Sequence, residues 1–262
     1  MTTVTSTLLS CAIENAVATL MLNHPPVNAL TPEVLVELDA SFDALAENSR
    51  VKVVILTGVG RCFVAGADIK VIAAIPSSRE GKEMAVRGQA IFNKIELFEK
   101  PVIAAINGPC LGGGLELAMC CHIRLAAEGA RLGQPEINLG IIPGFGGTQR
   151  LSRLVGRSRA LELILTGDLI SASEAKAIGL VSQVLPPEEL LRRAQGLARK
   201  IASKGHLAAR AALRAIREGA ELKLEEGLLQ EAQLFGDLCD SEDKREGVSA
   251  FLEKRQPQFK DR

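Results

Sequence analysis

Two glutamates lie in apolar stretches where a charged side chain is unexpected. Glu116 follows three consecutive glycines in an otherwise apolar run, and Glu136 lies twenty residues later beside Pro135 and Ile137. An unpaired carboxylate among apolar neighbours is costly, so each needs a partner or a function. Glu116 has a simpler alternative role, which is to stabilise the N-terminus of a helix by its charge. Together the two carboxyls indicate acid–base chemistry, with Glu136 expected in a strand-and-loop context.

Glycines are concentrated around these acids. Ten of the 24 lie in residues 108–147, where even spacing would place about four. The triplet 112–114 follows an apolar run and opens a helical pattern, and bare amides at a helix N-terminus bind anions. The Gly113 N–H is therefore a candidate donor to a developing oxyanion, with a tight strand-to-helix turn as the alternative. The spacing matches neither the dinucleotide nor the nucleotide-triphosphate loop.

A second loop offers a matching amide. The segment AGADIK at 65–70 follows a predicted strand and leads into a helix, so the backbone N–H of Ala67 is a candidate donor. Two amides from two loops make an oxyanion hole, and two nearby carboxyls make a proton-transfer pair. Such a site requires no histidine, serine triad, metal or cofactor.

The elements that position these residues read as an α/β fold. Apolar runs at 7–13 and 16–23 predict a hairpin turning at Glu14-Asn15, and 51–57 and 102–106 predict buried strands. Thr31 is the predicted N-cap of the first helix, before Pro32. Ser171 with Glu174 predicts a capping box, and Gly179 the C-terminal stop of that later helix. Alternation of strand, loop and helix indicates a largely parallel sheet. After about residue 148 helices dominate, so we expect a core at 1–195 and a helical region at 196–262.

Composition excludes several classes of protein. The 262 residues carry 31 basic and 31 acidic side chains and neither Trp nor Tyr, so net charge predicts no nucleic-acid partner and tyrosine catalysis is excluded. Six cysteines without a CxxC pair predict reduced thiols. No Lys or Arg precedes Arg50, which argues against a targeting peptide. The uncharged stretch 101–115 is shorter than the ~20 residues of a membrane span. We expect a cytoplasmic protein.

Four motifs resemble the enoyl-CoA hydratase/isomerase (crotonase) superfamily over roughly residues 8–259. They are AGADIK at 65–70, KPVIAAINGPCLGGGLELA at 100–118, GQPEINLGIIPGFGGTQRL at 133–151 and LTGDLISASEAKAIGLV at 165–181. The resemblance implies a spiral of ββα turns with a C-terminal helical trimerisation region, in a homotrimer or a dimer of trimers. The substrate it implies is an acyl-CoA thioester, with no separate cofactor.

The resemblance also assigns roles to residues. It implies that the amides of Ala67 and Gly113 hold the thioester oxygen, and that Gln134 and Gly144 support the acids. Hydratases of the family have glutamate at both positions 116 and 136, so the reaction implied is hydration of a trans-2-enoyl-CoA, as in fatty-acid β-oxidation. Which glutamate is the acid and which the base stays open. The residues expected at the CoA-binding edge are Ala65, Asp68, Ile69 and Lys70.

Three other features have competing interpretations. Cys120, Cys121 and His122 look like metal ligands, but neighbouring residues of one helix point apart, so we interpret them as core. The basic run 192–217 is either a solvated surface, a contact to CoA phosphates or an RNA site, and the lack of Tyr and Trp argues against RNA. Phe145 either limits the acyl pocket or packs a loop. A different crotonase reaction, such as isomerisation, is the main alternative function.

Overall fold

The computed structural model describes residues 8–262 and, as backbone only, the strand Thr2–Thr5. Its strands form a seven-stranded sheet in the order β1-β2-β3-β4-β5-β7-β10 and a three-stranded sheet in the order β6-β8-β9. Their bounds are β1 Thr2–Thr5, β2 Leu9–Glu14, β3 Val17–Leu22, β4 Val53–Gly58, β5 Val102–Ile106, β6 Cys110–Leu111, β7 Ile123–Ala127, β8 Arg131–Gly133, β9 Ile170–Ser171 and β10 Gln183–Leu185.

The helices follow the alternation that the sequence predicts, with helices alone after β10. Their bounds are α1 Pro32–Glu47, α2 Ile69–Ala73, α3 Ser78–Glu96, α4 Gly113–Cys120, α5 Gly147–Val155, α6 Arg157–Thr166, α7 Ala172–Ala177, α8 Pro187–Ala202, α9 His206–Gly219, α10 Leu224–Cys239 and α11 Glu242–Leu252, with a 3-10 helix at Pro135–Leu139.

The main sheet is antiparallel at one edge and parallel elsewhere. Strands β2 and β3 pair antiparallel as the predicted hairpin, whereas β3, β4, β5, β7 and β10 pair in parallel. The hairpin turns at Asn15-Ala16, one residue later than expected, because both residues take left-handed backbone angles, φ 50° and 62°. Residue 7, the first of the predicted strand, lies outside the described residues. The largely parallel α/β sheet is confirmed.

Local capping signals are also confirmed. The hydroxyl of Thr31 accepts from Val34 N at 3.3 Å and starts α1. Ser171 and Glu174 form a reciprocal capping box at the start of α7. Gly179 has φ 79° just beyond the end of that helix, where glycine stops a helix readily. These signals fix where the helices begin and end.

Helix α8 closes one face of the main sheet. Its buried residues Leu190, Ala194 and Ala198 join one apolar cluster with sheet residues such as Val53 and Ile103. Residue 195 therefore lies inside a helix that packs on the sheet along its length. The division into two units stays a prediction, and the structure places the start of the helices beyond the sheet at α9, after residue 202.

Helices α9 and α10 bury no residue fully and leave large apolar side chains exposed. Ile216, Leu229 and Phe235 are each at least 70% exposed, and Phe251 of α11 is 83% exposed. In residues 8–262 no helix combines the length and apolar character that crossing a bilayer requires. These helices thus present apolar side chains that nothing in residues 8–262 covers.

The basic run 192–217 is partly neutralised by acids outside it. Arg192 pairs with Glu189, Arg210 with Glu99, and both Arg214 and Arg217 pair with Glu218. Nothing in this arrangement favours the RNA interpretation over a solvated surface.

Candidate active site

A cavity of about 440 Å³ lies between α2, α3, α4 and the 3-10 helix. It contains both predicted acids, both predicted amide donors and a mainly apolar wall. The polar end is formed by Ala67, Gly113, Glu116 and Glu136, and the wall by Ile69, Ile72, Ile75, Met84, Ala85, Leu139, Ile141, Ile142 and Phe145. The fold therefore brings the four residues together from separate parts of the chain.

The two candidate oxyanion donors are adjacent. A Cβ built on Gly113 would lie 3.5 Å from Ala67 N and 3.2 Å from Leu30 Cδ1, so a side chain at Gly113 would crowd the space between the amides. Leu30 N donates to Gly66 O at 2.9 Å, and Asp68 N donates to Leu30 O at 3.1 Å. The Ala67 N–H, which lies between these two bonds, therefore points away from Leu30. Within residues 8–262 neither the Ala67 nor the Gly113 amide has an acceptor. Both are available to one oxygen.

Two asparagines that the sequence did not single out hold the loop before Ala67. Asn28 is buried and its Nδ2 donates to Cys62 O at 2.8 Å and Val59 O at 3.1 Å. Asn107 accepts from Gly58 N at 3.2 Å and donates to Gly58 O at 3.0 Å. Because asparagine is common in turns, neither residue gave a signal distinct from a loop. Their side-chain amides bond to backbone groups that a β-sheet would otherwise pair, at the point where the chain leads towards the site.

Glu116 is buried in the first turn of α4, with 2% of its surface exposed. Its Oε1 accepts from Gly147 N at 2.6 Å and from Phe145 N at 2.8 Å. Within the described residues Oε2 has no hydrogen-bond donor, and the residue lines the cavity. Burial raises the pKa of Glu116 to about 7; the Gly147 amide opposes this rise and nearby Glu136 adds to it. One oxygen is anchored and the other faces the cavity.

Glu136 lies in the 3-10 helix and not in the expected strand or open loop. Pro135 starts that single turn and Gly140, at φ 73°, ends it. A Cβ on Gly112, which has φ 51°, would lie 2.8 Å from Glu136 Oε1, so this carboxyl rests against bare backbone. Burial raises the pKa of Glu136 to about 7.

Gln134 contacts Glu136. The Gln134 side chain is fully buried, and with its amide nitrogen facing the carboxyl it donates to the two oxygens at 3.0 and 3.1 Å. Gly144 lines the cavity, and its carbonyl accepts from Gln89 Nε2 at 2.8 Å. The supporting roles of Gln134 and Gly144 in the reaction remain predictions.

The residues expected at the CoA-binding edge divide into two groups. Ala65 and Ile69 line the cavity. Asp68 caps α2, because its side chain accepts from Lys70 N at 2.8 Å. Neither Asp68 nor Lys70 is among the residues that line the cavity. A contact of these four residues to CoA stays a prediction.

His122 has a structural role. Its Nδ1 accepts from Val102 N at 2.9 Å, which fixes the tautomer so that Nε2 donates to Glu96 O at 3.2 Å. Burial lowers the pKa of His122 to about 4. Cys120 and Cys121 are buried in the main apolar cluster. Among the described residues no three His, Cys, Asp or Glu side chains gather as metal ligands.

The buried carboxyl of Glu116 and the half-buried carboxyl of Glu136, both with pKa values near 7, do not both ionise easily. Glu136 raises the pKa of Glu116, so the first proton lost disfavours loss of the second. Near neutral pH the pair therefore holds about one proton, so one carboxyl is able to donate a proton while the other accepts one.

Glu116→Gln is expected to stabilise the protein above pH 7. The folded pKa of about 7 exceeds the unfolded value of 4.5, so wild-type stability falls as pH rises between these values. Glutamine keeps an acceptor for both loop amides and carries no charge. We expect a gain of about 1–3 kcal/mol at pH 8 that shrinks as pH falls towards 4.5.

Urea unfolding of both proteins at pH 8 and pH 5.5 measures this gain. Glu221→Gln is the control, because Glu221 is 63% exposed and pairs only with the exposed Arg153. A Glu116→Gln protein no more stable than wild type at pH 8 contradicts the burial penalty.

Comparison with known proteins agrees with this geometry. Residues 12–262 match the family described as Enoyl-CoA hydratase/isomerase. A probable enoyl-CoA hydratase of Bacillus subtilis is 48% identical over 96% of this chain and 98% of its own. A crotonyl-CoA hydratase of Syntrophomonas wolfei is 47% identical over 94% and 95%. The crystal structure of an enoyl-CoA hydratase from Bacillus anthracis superposes with a TM-score of 0.94 at 42% identity, over 97% of this chain and all of that one. The crotonase fold is confirmed, and the chain belongs to the enoyl-CoA hydratase/isomerase family.

Proposed function

We propose that this protein is an enoyl-CoA hydratase, a lyase that adds water across the trans-2 double bond of an enoyl-CoA to give a 3-hydroxyacyl-CoA. The observation that carries the proposal is that two carboxyls, each with a pKa near 7, lie in one cavity with the Ala67 and Gly113 amides. Neither amide has a hydrogen-bond acceptor among the described residues. The relatives from Bacillus subtilis and Syntrophomonas wolfei, both named as hydratases, support it.

The reaction uses the two amides first. The thioester oxygen accepts from Ala67 N and Gly113 N, which polarises the carbonyl, makes the β-carbon electrophilic and stabilises the enolate-like charge. The start of α4 lies at the same point, so its dipole favours that negative charge. No cofactor takes part in this scheme, since the CoA thioester itself is the substrate.

The glutamates then handle one water. Glu116, as carboxylate, removes a proton from the water that attacks the β-carbon, and its cavity-facing Oε2 is the oxygen placed to do so. Glu136, in its protonated form, supplies a proton to the α-carbon. The hydroxyl and one hydrogen add to the two carbons, and the pair again holds one proton. An isomerase moves a proton from one carbon to another and needs no second acid to hold water, so the presence of both acids favours hydration.

The first test is turnover of crotonyl-CoA, followed by loss of the enoyl absorbance. We expect wild type to hydrate it, and Glu116→Gln and Glu136→Gln each to lower kcat by at least ~10², because each removes one proton-transfer group. Affinity for CoA product is expected to change little. Wild type that isomerises a 3-enoyl-CoA but hydrates no 2-enoyl-CoA of any length sinks the hydratase proposal, and a Glu136→Gln enzyme with wild-type turnover contradicts the two-acid scheme.

The acyl pocket favours a short chain because Phe145 closes it. The ring is 6% exposed and packs edge-on against Phe92, with ring centroids 5.4 Å apart. It also covers Gly88, where a Cβ would meet ring carbons at 2.4 Å. Behind Phe145 and Met84 lies a second apolar cavity of about 130 Å³, which shares both residues with the main one. The named substrate class of the Syntrophomonas wolfei relative supports the same proposal.

Phe145→Ala is expected to join the two cavities and extend the acyl pocket. The ratio of kcat/KM for trans-2-decenoyl-CoA to that for crotonyl-CoA should rise about tenfold or more, since each added methylene then gains an apolar contact. Phe98→Ala is the control, because Phe98 is equally buried but packs on Phe42 away from the cavity. An unchanged ratio in a folded Phe145→Ala protein rules out Phe145 as the limit of the pocket.

We also propose a homotrimer or a dimer of trimers in the cytoplasm. The exposed apolar side chains of α9–α11 support assembly, because large exposed apolar side chains concentrated on three consecutive helices are typical of an interface. The cysteines support a reducing compartment, since all six are free thiols in the structure.

Sedimentation velocity tests the assembly. We expect a species of three or six times the chain mass of 27.9 kDa, and Leu229→Glu, on the exposed face of α10, is expected to shift it towards the monomer. A monomer for the wild-type protein at micromolar concentration contradicts the assembly but leaves the hydratase proposal intact.

A further inference from the structure

The loop 144–147 is fastened on both of its sides. On one side its amides, Phe145 N and Gly147 N, donate to Glu116 Oε1. On the other side every carbonyl from Gly144 to Gly146 accepts a hydrogen bond. Gln89 Nε2 donates to Gly144 O at 2.8 Å, Arg150 Nη1 to Phe145 O at 3.0 Å and Arg150 N to Gly146 O at 2.9 Å. The Arg150 guanidinium makes the bond to Phe145 O, whereas Gly146 O is held by the first backbone bonds of α5, from Arg150 N and from Gln149 N at 3.1 Å.

Arg150 is itself held rigidly. It lies in α5 with 9% of its surface exposed. Its Nε and Nη2 donate to Glu96 Oε2 at 2.9 and 2.7 Å, and Nη2 also donates to Asn93 Oδ1 at 2.5 Å. A Cβ on Gly146 would lie 2.1 Å from Arg150 Nη1, so the loop approaches the guanidinium closely, and its φ of 110° favours glycine there. A planar, multidentate fork of this kind is not reproduced by lysine.

We infer that Arg150 is a positioning residue for the reaction: its guanidinium fixes the loop whose amides hold Glu116 Oε1, and it places a positive charge beside that carboxyl. The fixed loop leaves Glu116 Oε2 directed to the cavity. The positive charge favours the carboxylate form that accepts the proton of water. Arg150 does not line the cavity within the described residues, so it acts through the loop and through its charge.

Few ionisable groups surround Glu116, and the charge of Arg150 has a smaller effect on its pKa than burial, the loop amides and Glu136. The ionisable groups are Glu136 on the 3-10 helix, Arg150 on α5 and Cys120 one turn further along α4. Of these three only Arg150 is cationic, and it lowers the pKa of Glu116 against the effect of burial. Loss of that charge therefore raises the pKa of Glu116, and the acid limb of the pH profile of kcat moves to higher pH.

Arg150→Gln is the test, and it rests on the proposed hydratase function. We expect kcat for crotonyl-CoA to fall about tenfold or more with KM nearly unchanged, and the acid limb to shift upward. Arg150→Lys keeps the charge but not the fork, so its kcat is expected to fall while its acid limb stays near that of wild type. Arg153→Gln is the matched control, because Arg153 lies on the same helix, is 57% exposed and pairs with exposed Glu221.

The outcomes separate the two proposals. If the wild-type protein does not hydrate crotonyl-CoA, the proposed function is overturned. The structural role of Arg150 in holding the loop is then tested by circular dichroism and proteolysis of the variants. Folded Arg150→Gln with kcat within about twofold of wild type and an unmoved acid limb overturns the inference. If Arg150→Gln does not fold, Arg150→Lys is the deciding variant. A kcat equal to that of wild type in Arg150→Lys overturns the inference that the guanidinium positions the loop.

Discussion

The structure depends on keeping the Glu116 carboxyl in a place almost without water. Burial of a charged group costs several kcal/mol unless polar partners replace the solvent. Here the partners of Oε1 are two backbone amides, and the guanidinium of Arg150 bonds to the loop that carries them. The compensation is incomplete, which is why the pKa of Glu116 settles near 7. A carboxyl in that range exchanges a proton readily at neutral pH.

The same constraint explains where the glycines lie. A Cβ on Gly147 would lie 3.0 Å from Glu116 Oε1, one on Gly112 would reach Glu136, and one on Gly113 would crowd the space beside Ala67 N. Each position brings backbone within contact of a group that does chemistry. Part of the local excess of glycine is thus a consequence of building a site from amides, whereas Gly108 and Gly114 lie against the backbone of the loop at 61–64 instead.

Features set by neighbours in sequence were predictable, and those set by distant contacts were not. The hairpin, the Thr31 cap, the Ser171-Glu174 box and the strand before the glycine triplet are local patterns, and the structure contains all of them. The site acids were visible because each interrupts an apolar run. By contrast, the 3-10 turn at Glu136 depends on how the chain between Pro135 and Gly140 packs, and Asn28 and Asn107 look like ordinary turn residues until their bonds are seen.

The Glu116 and Glu136 carboxyls share about one proton near neutral pH in the proposed mechanism. Carbon-13 NMR titration of protein labelled at the glutamate carboxyl carbons measures this directly, with Glu116→Gln and Glu136→Gln assigning the two signals. We expect two carboxyl signals that titrate near pH 7, well above those of the other glutamates. We also expect a lower pKa for Glu116 once the charge of Glu136 is removed. Two signals that both titrate near 4.5, each unaffected by loss of the other acid, would contradict this mechanism.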